Sequence, residues 1–357
     1  MDISRLAPLF QAEGPFASVT LDVSRASETA AQARNLRLRS ATEELGRLGA
    51  DREVIDQVAA RLSERVDEPA PVARTVVATA ADVQLDELVH QHIDQSIVGW
   101  GALPDITGWL ELASRNIPFV LALVDHVGGD VAVYRSDVPQ ALEESSAGGE
   151  TEFVHKVPSG GWSALRYQHV TENVWSRNAE AVADEVESRI REGNRLILLA
   201  GDPRSKGEVA RRLETSPATV VELESGSRSE DSGGDALQHA IRQALLEHSV
   251  ARQQELAHTL QDRLGRGEGA AAGVREVAGA FVRGQVDTLL LDPAAAAGTE
   301  LRPSDHPGLP LGAVPVDQPV RADQALIAAA ALTDAQVVIS PQSVLGGAPV
   351  AALLRWT

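Results

Sequence analysis

Apolar positions along the chain fall into two kinds of spacing, and each kind predicts an element. Residues 16–23 form an apolar stretch of strand length. From about 28 to 66 the spacing becomes helical: Leu36, Ala41, Leu45 and Leu48 precede a break near Gly46 and Gly49, and Val54, Val58 and Leu62 follow it. That is the pattern of a helical hairpin. Two short strands are expected at 74–78 and 83–88. A helix opened by Pro104 then carries Trp109 and Leu110 on its apolar face.

Residues 117–135 read IPFVLALVDHVGGDVAVYR, two apolar strands joined at Gly128-Gly129, which signals a hairpin. A polar loop is expected from 143 to 161. An amphipathic helix is expected over 168–192, where Val170, Val174, Ala179, Val182, Val186 and Ile190 recur every three to five residues. RLILLAG (195–201) reads as a buried strand and 208–213 as a short helix. SGSRSEDSGGD has no core-forming residue, and the acidic stretch 222–235 that ends in it reads as a solvated, mobile loop. Helical patterns at 251–264 and 271–282 precede a strand, VDTLLLD. A helix at 322–333, a strand VVIS and a last apolar run ending LLRW follow. Strands alternating with helices indicate α/β architecture.

At 357 residues, two or three domains are expected, and the pattern divides at 1–116, 117–250 and 251–357. The chain has no cysteine, which removes disulfides, thiolate metal sites and cysteine nucleophiles. Aromatics are only 3% of residues, so Ala, Val and Leu must build the cores. No apolar run approaches a membrane span, and MDISRLAPLF lacks a secretion pattern, so a cytoplasmic location is expected. The net charge of −19, with every segment acidic, argues against DNA binding or loose coating of RNA.

Position changes that picture. Residues 153–171 contain no acid but hold Lys156, one of two lysines in the chain, and Arg166, His155 and His169. Within them KVPSGGWSALRYQH sets Trp162 directly after Gly160 and Gly161. Paired glycines let backbone approach another surface closely, and an indole on such a loop suits stacking on irregular RNA. A turn whose Trp162 folds back onto its own domain fits the letters equally well. A second acid-poor window, residues 29–42, holds Arg34, Arg37 and Arg39, with Arg25 just before it. Arg34 and Arg37, three apart, share a helix face. Either RNA contact or a solvated helix face accounts for them.

GGWSALRYQH resembles the Gly-Gly-Gln loop of the archaeo-eukaryotic class-1 peptide-chain release factors, Gly-Gly-Gln-Ser-Ala-x-Arg-Phe. Gly160, Gly161, Ser163, Ala164 and Arg166 match, and Tyr167 stands for Phe. The flanking hairpin, amphipathic helix and strand ending Ala200-Gly201 keep the order of that family's middle domain. The third segment is similar to its C-terminal domain. The resemblance implies three domains: an α+β N-terminal domain on the decoding side, an RNase H-like middle domain, and a partner-binding α/β/α sandwich of the kink-turn-binding ribosomal-protein type.

Trp162 occupies the place of the catalytic glutamine. An indole has one donor and no amide acceptor, so it cannot order the hydrolytic water as glutamine does. The resemblance therefore points to the Pelota branch, which lacks the glutamine, and most closely to the Balon-type hibernation factors of actinobacteria. It implies a non-enzymatic ligand of the ribosomal A site that contacts 23S and 16S rRNA, without cofactor or metal, accompanied by the elongation factor EF-Tu. Lys156, Ser159, Gly160, Gly161, Trp162, Arg166, Tyr167, Arg34 and Arg37 are its candidate contacts. Two alternatives stay open: a rescue or release factor that retains hydrolysis, and a stress-response protein acting off the ribosome.

Other constellations read as structural. GDPRSKG (201–207), with Arg204 and Lys206, lacks phosphate-loop spacing and reads as a basic turn or a plain connection. His90 and His92 have no third ligand and read as surface residues. Asp125 and His126 lack the convergent carboxylates or relay that nuclease or hydrolase chemistry needs.

Overall fold

The computed structural model describes all residues except 25–27, 69, 126–127, 137, 149–171, 225–232, 316 and 357. Contacts divide the chain into two compact units, Met1–Arg115 with Arg252–Thr357, and Asn116–Ala251. After a short helix, α1 (Ala7–Gln11), the chain enters β1 (Phe16–Asp22), whose seven residues are all buried. Its side chains alternate between two covered faces. Ala17, Val19 and Leu21 join one apolar cluster. On the other face Ser18 Oγ accepts the Asp105 N–H at 2.9 Å, and the Thr20 and Thr75 hydroxyls lie 2.8 Å apart. Burial is affordable for these polar side chains because each is hydrogen-bonded.

β1 lies at the centre of an antiparallel sheet with β2 (Ala73–Ala78), β3 (Val83–Val89) and β4 (Ile97–Gly101), in the order β3-β2-β1-β4. The expected helical hairpin is α2 (Glu28–Arg47) and α3 (Arg52–Ser63), with Gly49 at φ 90° in the break. Ala41, Leu45, Val54, Val58 and Leu62 pack onto the sheet. Leu36 and Leu48 do not: they are 64% and 43% exposed. The buried stripe of α2 instead runs Arg34, Leu38, Ala41, Leu45 at spacings of four, three and four, which keeps one helical face; Leu36 points away from it, and Leu48 lies beyond the last turn. The Pro104 helix begins later, as α4 (Thr107–Ser114).

The second unit holds a five-stranded sheet in the order β7-β6-β5-β8-β9, made of β5 (Pro118–Val124), β6 (Gly129–Arg135), β7 (Val138–Ala147), β8 (Leu196–Gly201) and β9 (Thr219–Glu222). The first three strands are antiparallel; β5, β8 and β9 are parallel. Helix α5 (Glu172–Arg191) covers one face through Ala179, Val182, Val186 and Ile190. α7 (Gly233–Arg266) covers the other through Leu237, Ile241, Ala244 and Leu245.

Three expectations change here. The stretch expected as a polar loop from 143 begins as strand: Glu143 and Glu144 pair with Val133 and Ala132. Two of its polar side chains are held from α5: Arg189 bonds Glu143, and the Ser145 hydroxyl donates to Glu185 at 2.6 Å. The short helix at 208–213 begins at Pro203, as α6 (Pro203–Arg212), because Asp202 caps it and Pro203 opens it. The helix expected at 251 is the end of α7, which starts at Gly233.

The C-terminal stretch forms a four-stranded sheet in the order β10-β15-β11-β14, from β10 (Ala270–Ala272), β11 (Val286–Leu291), β14 (Gln336–Ile339) and β15 (Val350–Leu354). β10 takes the first residues expected for a second helix, and Gly273 at φ 95° separates it from α8 (Val274–Val282). Leu260, near the end of α7, packs with Leu290, Ala351 and Leu353 on one sheet face. On the other lie α8 and α10 (Ala322–Leu332), an almost wholly buried helix. Between them come α9 (Pro293–Ala297) and the small pair β12 (Glu300–Leu301) and β13 (Val320–Arg321).

Within this unit the two ends of the chain share one core. Leu6, Phe10, Trp109 and Leu110 belong to the same apolar cluster as Phe281, Leu289, Leu326 and Ile327. The Arg321 guanidinium bonds Asp105 at 2.9 Å and also Asp323. Met1–Arg115 and Arg252–Thr357 thus form one compact unit, and Asn116–Ala251 forms the other.

Candidate functional site

Of the candidate contacts, Lys156, Ser159, Gly160, Gly161, Trp162, Arg166 and Tyr167 lie outside the described residues. The described elements on either side of residues 149–171 are β7 and α5. β7 ends at Ala147, opposite Gly129 of β6, and α5 opens at Glu172. The approach is close: a side chain on Gly128 would place its Cβ 2.4 Å from the Ala147 carbonyl oxygen, so only glycine fits this hairpin turn. On the neighbouring strand Gly201, at φ 110°, would meet the Val124 carbonyl at 2.0 Å. The Gly-Gly turn and the Ala-Gly strand end are therefore packing requirements at the loop-bearing end of the sheet.

Carboxylates at this end have structural partners. Asp125 Oδ1 accepts the Gly128 N–H at 3.1 Å. Asp202 Oδ1 accepts the Ser205 N–H at 2.9 Å and caps α6. Asp130 accepts the Ser146 hydroxyl at 2.6 Å; burial pushes its carboxyl up, the serine opposes this, and the nearby Asp125 charge adds to it. Among the described residues no three His, Cys, Asp or Glu side chains form a group able to hold a metal ion.

Lys206 is not displayed on a basic turn. It lies on α6, is 7% exposed, and donates from Nζ to the Leu223 carbonyl at 2.5 Å. The Asp202-Pro203 pair was the available signal, since a capping aspartate before proline starts a helix there and turns Lys206 inward.

The second candidate cluster is split by the register of α2. Arg34, on the buried stripe, is 5% exposed and donates to the Ser63 carbonyl at 2.6 Å, tying α2 to the end of α3. Arg37 stands on the surface beside Asp22, 4.0 Å away, and Arg39 is exposed. His92 Nδ1 lies 3.6 Å from the same Asp22, so Arg37 and His92 flank one mostly buried carboxylate. Residue spacing gives no hint of this, because the contact joins β1, α2 and the segment after β3. His90, expected on the surface, is largely covered, with its side chain 11% exposed and Nε2 3.3 Å from Glu68.

Among the described residues no helix is long and apolar enough to cross a membrane. Residues 118–266 match the model of bacterial archaeo-eukaryotic release factor family 2. Over 372 aligned residues the chain is 28% identical to the uncharacterized protein Rv2629 of Mycobacterium tuberculosis strain H37Rv, covering 100% of this chain and 97% of that protein. Among solved structures, archaeal Pelota in a model of ribosome-bound Pelota and ABCE1 is 17% identical, covering 99% of this chain and 94% of that one, with a TM-score of 0.41. Saccharomyces cerevisiae Dom34, described as a translation termination-like factor, is 11% identical, covering 82% and 83%, with a TM-score of 0.40.

Proposed function

We propose that this chain, a bacterial homologue of the archaeo-eukaryotic release factors across residues 118–266, is a ribosome ligand that fills the A site without hydrolysing peptidyl-tRNA. The span of the family match carries the reading: residues 149–171 lie inside it, with Trp162 where the release factors have glutamine. In this reading the Gly160-Gly161 backbone approaches 23S rRNA at the peptidyl-transferase centre. Lys156 and Arg166 neutralise phosphates, Trp162 stacks or wedges, and Ser159 and Tyr167 add contacts. Without an amide at residue 162, the loop occupies the centre and leaves the ester intact.

On the decoding side, Arg37 and Arg39 have the exposure to meet 16S rRNA, whereas Arg34 acts through the packing of α2 and α3. The function is hibernation of the Balon type, under stress, in the cytoplasm and in company with EF-Tu. The net charge of −19 suits a ligand that docks in one orientation, since acid is withdrawn from the contact windows and kept elsewhere.

Co-sedimentation with purified ribosomes tests the binding. The chain should pellet with them, and a Lys156→Glu, Arg166→Glu double variant should stay in the supernatant; failure of the parent chain to pellet sinks the proposal. A peptide-release assay tests the chemistry. The parent chain should release no peptide, and release by it would assign hydrolysis instead.

A further inference from the structure

β4 is an edge strand, bonded to β1 on one side and without a backbone partner among the described residues on the other. Unpaired edges invite another strand, and proteins guard them with charges, brevity or a covering segment. The other sheet edges are guarded in these ways. β3 carries Asp86 and Glu87, β7 carries Glu143 and Glu144, and β9 ends in Glu222. β10 has three residues, and β14 is bridged by Asp2 at Gln336. β4, with the sequence IVGWG, has five residues and no charge.

At the Gly101 end of β4 lies an open cleft of about 600 Å³, lined by Glu13, Pro15, Trp100, Gly101, Ala313 and Pro315 among others. Nothing stands within 4 Å of the place where a Gly101 side chain would go. Trp100, which also packs partly against the apolar cluster of β1, α2 and α3, and Glu13 both line the cleft. An indole with a carboxylate favours a cation, which the ring attracts through its quadrupole and the carboxylate through charge. A second copy of this chain is a poor occupant, since each copy carries −19.

We propose that β4 is the docking edge for an extended basic peptide segment of a partner protein. The segment adds as a fifth strand beside β4 and lays a lysine or arginine into the cleft between Trp100 and Glu13. Main-chain pairing supplies affinity and the cleft supplies selectivity, as in other strand-addition interfaces. The surface lies in the unit formed by the chain's two ends and does not depend on the loop at 149–171.

The test uses the full chain and an acetylated nine-residue peptide of alternating arginine and valine, followed by fluorescence anisotropy. Saturable binding is expected, with slowed hydrogen exchange at residues 97–101. N-methylating alternate peptide amides keeps the charge but removes the pairing, and should weaken binding about tenfold or more. Gly101→Lys should weaken it similarly, and Glu13→Gln about threefold with a shallower salt dependence. The peptide and Glu13→Gln arms decide the matter even if Gly101→Lys does not fold. Equal binding of the N-methylated peptide, or protection away from β4, overturns the proposal. So does a concentration-dependent dimer of the free chain that protects residues 97–101, which would give the edge to a second copy.

Discussion

Single carboxylates show how position alone sets chemistry. Burial is the largest influence on Asp86 and raises its carboxyl, but Arg74 and Arg61 together hold it below the ordinary range. A depressed carboxyl contributes stability that is present above its unfolded value and lost as pH falls through the folded one. Asp86→Asn should therefore destabilise at pH 7, by about 2 kcal/mol in urea titrations, because the nearly buried Arg74 loses its closest partner. The deficit should shrink in melts at pH 3. Asp130 works with the opposite sign: its carboxyl is raised, so its contribution is complete at low pH and declines as pH rises through the folded value. Asp130→Asn, which can still accept from Ser146, should keep or raise the melting temperature at pH 7 and show no advantage at pH 3. Neither environment is legible from the letters, since the partners of both residues come from other elements, Arg61 of α3 among them.

At the scale of elements, the sequence reveals where helices lie better than which way they face. Leu36, Ala41, Leu45 and Leu48 look like a stripe, yet a five-residue step separates the first two, and that step rotates Leu36 off the face. The true stripe admits Arg34, which apolar counting passes over. Leu45→Ala, at 0% exposure, should cost about 3 kcal/mol, and Leu36→Ala less than about 0.5 kcal/mol, when chemical denaturation is compared. Elements built as unbroken apolar runs, such as β5 and β8, are readable as buried strands. β7 is not, because its outer edge is polar and Glu143 and Ser145 are held by Arg189 and Glu185 of α5 rather than by a core. The two glycines and the indole stand out in the sequence as an acid-free motif; these residues lie outside the described ones, and the family match spans them. The divided fates of Arg34 and Arg37 were hidden, because one residue of register decides them.

In the molecule as a whole, apolar periodicity identifies a face in need of cover but never names the cover. The faces of α1 and α4 meet α8 and α10, from residues more than 150 positions away. Arg321 serves two buried carboxylates there, Asp105 at 4% and Asp323 at 0% side-chain exposure, and burial raises the Asp323 carboxyl despite the guanidinium. Arg321→Ala strands both, and should cost about 3 kcal/mol at pH 7, with partial recovery on acidification as the carboxyls accept protons. A fragment ending at Arg115 should bind a hydrophobic dye and sediment as aggregate, because Leu6, Phe10 and Trp109 lose their cover. Co-expression with residues 252–357 should return it to solution.

That shared core also sets a timetable for the newborn chain. The middle unit, contiguous in sequence, can close while the rest is still being made, but the first 115 residues must wait for the final hundred. Until α10 emerges, Phe10 and Trp109 have only the part of their cluster that comes from the first 115 residues, such as Val77, Leu85 and Val89. A message cut short therefore yields a product whose opening segment never matures and is left to proteases. Residues 1–115 then mature only once 252–357 are present, while Asn116–Ala251 needs neither.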